Sequence, residues 1–437
     1  MSLTMASEPM KALLEPLVLP PTATLPGAPP AHDAAARHSI ELSLCEDISL
    51  LEPEWRRFEL YADATVFQSF DWLSQWWRHI GAPAGVRPAI VLGRARNGGL
   101  LLVLPLAIKP GLVRRLTFLG DELADYNAPL IAPELAAHLH AETFLPRWRE
   151  ILGLVQSRPH LAYDVVELSK MPETIDTQAN PLLCLEVGLN PSGAHMTALA
   201  ATWDEFYSAK RSSATRRRDR AKRKRLAEHG EVRFVNSGDG ADLTRTLDTL
   251  MQQKAKAFAC MGVPNLFARP GHRDFFHALA SDVPHLVHAS RLEVGSVWAA
   301  INLGLSFGGT YYHVLASYDD GPLARFGPGA AHLRDLLQRA IEKGFRRFDF
   351  TIGDERYKLE WSDTALRLFD HVSAATWRGW PVVFLTLAFR RLKRAIKQNP
   401  ILWRAFSVAR AAAGSLRRRR RDDEDAGAEQ APPLAPQ

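Results

Sequence analysis

Residues 345–361, FRRFDFTIGDERYKLEW, set the carboxylates of Asp349, Asp354, Glu355 and Glu360 among Arg346, Arg347, Arg356 and Lys358, with Tyr357 and Trp361 close by. Carboxylates and a phenol held together can take a proton from one reacting group and give one to another, which is general acid–base work. The plainer alternative is a strand end running into a turn. Asp354 then caps a short helix, Glu355 favours its positive end, Lys358 and Glu360 are solvated, and Tyr357 and Trp361 enter the core. A second stretch, ARFGPGAAHL at 324–333, brings Gly327 and Gly329 to the start of a helix. Glycines there leave backbone N–H groups open, so a diphosphate can approach without meeting a Cβ. An ordinary loop-to-helix turn has the same look, because Pro-Gly pairs are common in turns. His313, in TYYHVLASYD, has an ordinary pKa suited to a base; a lone strand histidine is also commonly a packed one.

These positions depend on the elements around them. After a basic tract, EVRFVNS is an alternating strand. ADLTRTLDTLMQQKAKAF places Leu243, Leu247, Leu250, Met251 and Phe258 on one helical face, and GHRDFFHALAS is a second helix. HLVHASRLE, SVWAAINLGLSF and TYYHVLASYD are strands joined by the tight turns VG and GG. GPGAAHLRDLLQRAIEKG is a helix with Pro328 near its start and Gly344 at its stop. RRFDFT is a strand, DERYKLEW a short helix and LRLFDHVSAATW a last strand, so the order is β-α-α-β-β-β-α-β-α-β. The first half nearly repeats it: the strand IELSLCE, the helices LEPEWRRFEL and SFDWLSQWWRHIG, and the strands RPAIVLGRA, LLLVLPLAIK and VRRLTFLG. A long helix, ELAAHLHAETFLPRWREILGLV, and the strands AYDVVELS and LLCLEVG follow. Trp72, Trp76 and Trp77 read as core more than as a sugar platform. Ahead of its long helix the first half has DYNAPLIAPE, without glycine.

The basic helix before the second half, FGPGAAHL and the GDExYKxxW pattern of residues 353–361 together resemble the GNAT acyltransferases. The resemblance is to the CelD-like acetyltransferase branch, named for cellulose biosynthesis and related to the Fem-type peptidyl transferases. It spans roughly residues 40–380 and implies an α/β fold with α+β mixed sheets, a tandem GNAT-like pair. An N-terminal copy is expected at 40–200, a basic linking helix at 201–228 and a C-terminal acyltransferase domain at 229–378. The implied co-substrate is acetyl-CoA, with its diphosphate over Arg325, Phe326, Gly327, Gly329 and Ala330. The family's pattern puts a Gln or Arg where Ala324 stands, and Arg325 is one place late, so the expected cradle is backbone. In such a fold the fourth and fifth strands splay around the thioester. Asp349 and Glu355 are then base candidates, directly or through water, Tyr357 the acid for the departing thiolate, and His313 a second base. Asp125, Tyr126 and Asn127, in the matching loop of the first copy, together with Lys358, are expected to help shape the acceptor site. The acceptor expected is a sugar, polysaccharide precursor or related small molecule. Rival readings are an aminoacyl-tRNA-dependent transferase and a non-catalytic accessory protein of polysaccharide assembly.

Composition frames these expectations. The chain has 437 residues with 46% apolar content, enough for a sizeable core and two domains. Its net charge is only +6, yet residues 210–225 carry +9 and residues 377–410 carry +8, which leaves about −11 for the rest. The first tract reads as a solvated helix, a nucleic-acid site or an anion-attracting flank for CoA. It lacks the aromatic interleaving of an RNA-binding surface, so nucleic acid is the least favoured partner. The second, at 379–411, reads as basic amphipathic helices that either pack on the second copy or lie on an anionic membrane. The Pro/Ala-rich start (1–39) reads as a disordered leader and 412–437 as a mixed-charge tail. Cys45, Cys184 and Cys260, odd in number and widely spaced, suggest a reducing compartment with neither a disulfide framework nor a metal site. A cytoplasmic location is expected, with contact at the inner face of the membrane as an option.

Overall fold

The computed structural model describes residues 40–398, with side chains through Leu392. The expected leader, the expected tail and the basic segment beyond 398 lie outside the described residues. Among the described residues no helix is long and apolar enough to cross a membrane.

The first half runs β1 (Glu41–Cys45), α1 (Glu52–Phe58), α2 (Phe70–Trp76), β2 (Arg87–Arg94), β3 (Leu100–Lys109), β4 (Arg115–Phe118), α3 (Ala141–Gln156) and β5 (Val165–Pro172). Two short strands follow, β6 (Val187–Leu189) and β7 (Ala194–Ala198), then the linking helices α4 (Trp203–Lys210) and α5 (Ser213–Ala227). The second half begins with β8 (Val232–Asn236), α6 (Ala241–Met261), α7 (His272–Asp282), β9 (Val287–Val294), β10 (Val297–Phe307) and β11 (Thr310–Tyr318). It ends with α8 (Pro328–Glu342), β12 (Arg347–Ile352), α9 (Arg356–Trp361), β13 (Thr364–Leu366), β14 (Leu368–Ala374) and α10 (Trp380–Gln398).

Three local details differ from the sequence reading. The long helix over 134–155 is broken: a single turn, Pro133–Ala136, precedes α3, because His140 leaves helical geometry and shares a reciprocal cap with Thr143. The single linking helix is two, since Arg211 is extended and the Ser212 hydroxyl accepts from the Thr215 N–H at 3.2 Å to start α5. The strand β7, AHMTA, is new; its short run is too polar to announce itself.

The two sheets have the same plan. One runs β1-β2-β3-β4-β5-β14-β6 and the other β8-β9-β10-β11-β12-β7-β13. In each, the fourth and fifth strands pair in parallel, Arg115 with Val165 and Thr310 with Arg347. The sixth place is filled by the other half of the chain. β7 runs antiparallel to β12, and β14 runs antiparallel to β5. The halves thus exchange a strand reciprocally, and each sheet is completed across the sequence boundary near residue 200.

A shared core follows from this exchange. Trp55, Phe67, Trp72 and Tyr126 of the first half pack in one cluster with Leu250, Phe275, Tyr312 and Leu368 of the second. Trp72 meets Phe275 edge-on at 5.0 Å and Phe67 meets Tyr312 at 5.9 Å. Each such ring removed from water stabilises the joined form by about 2–3 kcal/mol, so the halves hold each other's geometry. Trp72 and Trp76 are core and Trp77 is half-buried beside them.

Candidate active site at the strand split

Helix α8 starts without a side-chain cap and with no acidic residue in its first turn. Gly327 holds the N-cap at φ +69, the left-handed region that a side chain disfavours. The first N–H groups of a helix lack intrahelical partners, and Pro328 has none to offer. Gly329 and Ala330 therefore present theirs outward. A Cβ on Gly329 would lie 3.5 Å from Tyr318, an ordinary contact, so packing does not demand glycine there. The basic helix α5 flanks this point: the Lys222 Nζ lies 3.8 Å from where a Cβ on Gly327 would sit. Arg223 holds α5 in place by donating to both oxygens of Asp335 at 2.9 and 2.7 Å. Arg325 is exposed and lies over the Phe326 ring at 4.8 Å. The matching helix of the first half, α3, has its own cap at Thr143 and carries Glu142 in its first turn. That end repels an anion; the end of α8 attracts one.

Past the same helix start the sheet opens. Pairing between β11 and β12 stops at Tyr312 and Asp349, and β12 goes on against β7 through a bulge. Thr351 at this bulge has φ +60, costly for a β-branched residue and held only by its surroundings. Asp349 is 1% exposed. It accepts from the Tyr126 hydroxyl and from the Thr351 N–H, both at 2.7 Å. Burial pushes its carboxyl up to about 7; these two donors hold it down, and the charge of Asp125 adds to the rise. Burial and the neighbouring Asp349 keep the Tyr126 phenol well above its ordinary range. Asp125 faces the Thr351 hydroxyl and the Ile352 N–H, near Lys170 and Lys358; burial raises its carboxyl too. The loop expected beside the acceptor therefore docks directly on the end of β12.

The remaining expected residues fall around this point. Glu355 stands at the N-cap of α9 without a capping bond; it is exposed and 3.2 Å from the Lys358 Nζ. Asp354 does not cap the helix: its carboxylate accepts from the Gly193 N–H at 3.3 Å. Lys358 is not solvated. Its Nζ turns back under Gly353 and donates to the carbonyls of Ile352 at 2.7 Å and Thr351 at 3.4 Å. A Cβ on Gly353 would fall 2.9 Å from that Nζ, so glycine leaves room for it. Tyr357 is half-buried, its ring 6.3 Å from His313 and 6.4 Å from Phe350. Burial, and then the charge of Glu355, raises its phenol. Trp361 is core, stacked on Phe206 at 6.0 Å.

His313 sits in a buried chain of polar groups. With the Asn302 amide turned to satisfy both of its ends, its nitrogen donates to the His313 Nε2 at 3.2 Å and its oxygen accepts from the Tyr311 hydroxyl at 2.8 Å. Tyr311 also meets the His288 Nδ1 at 2.8 Å. Burial lowers His313 to about 3, helped by Lys358 and Lys254, which makes it a weak base.

Two side chains at the site are not among those expected from the sequence. His195, brought in by the exchanged strand β7, is 4% exposed, and its Nδ1 has no hydrogen-bond partner among the described residues. Lys254 of α6 is half-buried. Burial lowers its ammonium, with Glu355 opposing and Lys358 reinforcing the shift. It lies on the apolar stripe of α6, seven positions after Leu247 and four before Phe258, and donates to the Ala316 carbonyl at 3.4 Å, so a lysine interrupting that stripe was the signal the sequence offered. Among the described residues no group of three or more His, Cys, Asp or Glu could hold a metal ion.

The open helix start, the split strands and a sheet of this order have a counterpart among known families. Residues 213–359 match the family described as an acetyltransferase (GNAT) domain. Over that segment the chain is similar to a GNAT acetyltransferase domain. The crystal structure of FemX superposes at a TM-score of 0.52 with 11% identity, covering 79% of this chain and 99% of that chain. A tandem GNAT protein from the clavulanic acid biosynthesis pathway matches at 0.43 and 11%, covering 77% of this chain and 99% of that one. The structure of L-PGS from Bacillus licheniformis matches at 0.45 and 12%, covering 78% and 96%. No curated protein matches the sequence. The whole is a tandem of GNAT-like folds, as the internal repeat of element order indicated.

Proposed function

We propose that the protein transfers an acyl group, acetyl in the simplest case, from a CoA thioester to a hydroxyl or amine of a sugar, polysaccharide precursor or similar small acceptor. In this reading it belongs to the CelD-like branch. The observation that carries it is the uncapped, acid-free start of α8 flanked by Lys222, at the mouth of a strand split that holds an uncharged-leaning Asp349. The bound thioester supplies an activated acyl carbonyl. The chain's residues do the rest. The N–H groups of Gly329 and Ala330 hold the diphosphate, and Lys222 adds positive charge beside it. Asp349, titrating near neutrality, takes the acceptor's proton directly or through water, and Tyr126 orients its carboxylate. Tyr357, kept protonated by burial, stands as the donor to the departing sulfur. Glu355 is the alternative proton acceptor on the exposed side. Asp125 and its loop bound the acceptor side. The compartment that fits is the cytoplasm.

Calorimetric titration with acetyl-CoA, CoA and bulk tRNA at two salt concentrations tests this reading. Micromolar CoA binding with tRNA held only weakly and salt-sensitively supports it. Tight tRNA binding without CoA binding would replace it with an aminoacyl-tRNA-dependent transferase, and binding of neither with an accessory role.

A further inference from the structure

Helix α10 is fixed to the first sheet by one stripe. Val383 is buried, and Arg390, seven positions on and thus on the same face, pairs with Glu167 at 3.2 Å and with Asp370 at 3.6 Å. The rest of the surface of its first three turns is open and largely apolar. Trp380, Phe384, Leu385 and Phe389 are all more than 60% exposed, and Trp377 just before the helix is 81% exposed. A second segment extends this surface. Arg378 donates to the Leu112 carbonyl at 2.7 Å, which sets the 110–113 loop beside the helix start, and the Leu112 side chain is 92% exposed. Soluble surfaces scatter single apolar residues; they rarely line up aromatics on one helix face with another exposed leucine beside them.

Charge identifies what covers it. The helix carries Arg390, Arg391, Lys393, Arg394 and Lys397 and no Asp or Glu. A second copy meeting this face in a twofold contact would bring the same bases against themselves. Residues 399–421 add seven more arginines, and the four acids that follow at 422–425 offset only part of them, so the continuation of the chain is a poor complement. Tryptophans at an apolar–polar boundary next to a run of bases suit the interface of an anionic bilayer, where rings enter the headgroup region and bases meet phosphates.

We infer that α10 and the Leu112 loop dock the protein on an anionic phospholipid surface, with Trp377, Trp380 and Phe384 inserted and the exposed Arg391 against the headgroups. The readout does not depend on the acyl-transfer reading, because it needs no substrate. Sedimentation of the full chain with vesicles of phosphatidylcholine, alone or mixed with phosphatidylglycerol, tests it. The expected result is partitioning onto the mixed vesicles about tenfold or more above the neutral ones, weakened by added salt. The pair Trp380→Glu and Phe384→Glu, both exposed and so harmless to the core, reduces it about tenfold or more at unchanged melting temperature. Equal partitioning of the variant and the wild type overturns the inference, as does failure of the wild type to bind mixed vesicles. A wild-type dimer that the variant splits, without vesicle binding, assigns the face to a second copy and also overturns it.

Discussion

The Tyr126 hydroxyl, from the first half of the chain, donates to the Asp349 carboxylate, from the second, at 2.7 Å. Both side chains are 1% exposed, so the bond is made where neither could otherwise keep its polar atom satisfied. A fold of two repeated units thereby gains a mixed site: the catalytic candidate sits on the GNAT domain, and the group that tunes it comes from the other copy.

Asp349→Asn lowers turnover by roughly 10²–10⁴-fold if this carboxylate is the general base, with CoA affinity nearly unchanged because the diphosphate turn is a separate loop. Tyr126→Phe has a subtler signature. The hydroxyl's donated bond holds the Asp349 pKa down, so its loss moves the acidic limb of the kcat/KM profile upward from about pH 7. A pH profile on both variants, beside melting curves on the same samples, checks this; an unmoved limb in Tyr126→Phe removes Asp349 from the role of base.

Gly329→Val keeps the fold, since a Cβ there meets Tyr318 only at ordinary contact distance. It sets a branched side chain over the outward N–H groups, so CoA affinity falls by about tenfold or more, the worth of a lost hydrogen bond to a charged group. Titration calorimetry decides it. A folded variant that binds CoA as tightly as the wild type puts the diphosphate elsewhere.

Lys358→Met leaves the carbonyls of Ile352 and Thr351 without their buried donor. Two acceptors orphaned in this way cost about 2–4 kcal/mol, read from urea unfolding. Loss of turnover at unchanged stability would mean instead that the ammonium serves the acceptor.

His332, on α8, is held neutral: burial lowers it to about 3, and its Nε2 lies 3.2 Å from the Ser290 hydroxyl. A histidine that cannot charge in the folded state costs stability as pH falls below its unfolded value near 6.5, because the unfolded chain binds the proton first. His332→Gln is therefore less stable than the wild type at pH 7.5, with a gap that narrows by about 1.4 kcal/mol per pH unit below 6.5. Unfolding curves at pH 7.5, 6 and 5 follow the difference, and a constant gap shows that the ring protonates in place.

Neutralising Arg217, Arg218 and Lys222, all exposed on α5, should reduce any affinity for CoA modestly and leave no submicromolar tRNA complex to lose, since none is expected at physiological salt. Filter binding of bulk tRNA to the wild type checks it, and a tight complex that these changes abolish makes RNA the ligand of the helix.

The sequence by itself determined most elements of both halves and the glycine turn that opens α8. Alternation marks a strand and a 3.6-residue period marks a helix from neighbours alone, and glycine at 327 reports its left-handed backbone without any partner. The difference between GPG before α8 and DYNAPLIAPE before α3 was equally local, and the structure sets an uncapped helix start in the second half against a capped one in the first. Tertiary structure alone decided which strands complete which sheet. β7 is a short, polar segment whose identity comes from pairing with β12 across more than 150 residues of chain, and pairing at that distance leaves no period to read. It also decided the chemistry. Asp349, Tyr126 and His195 are ordinary residues in ordinary segments until the packing of the two halves takes them out of water, and burial, which shifts their proton affinities, is a property of the packed whole.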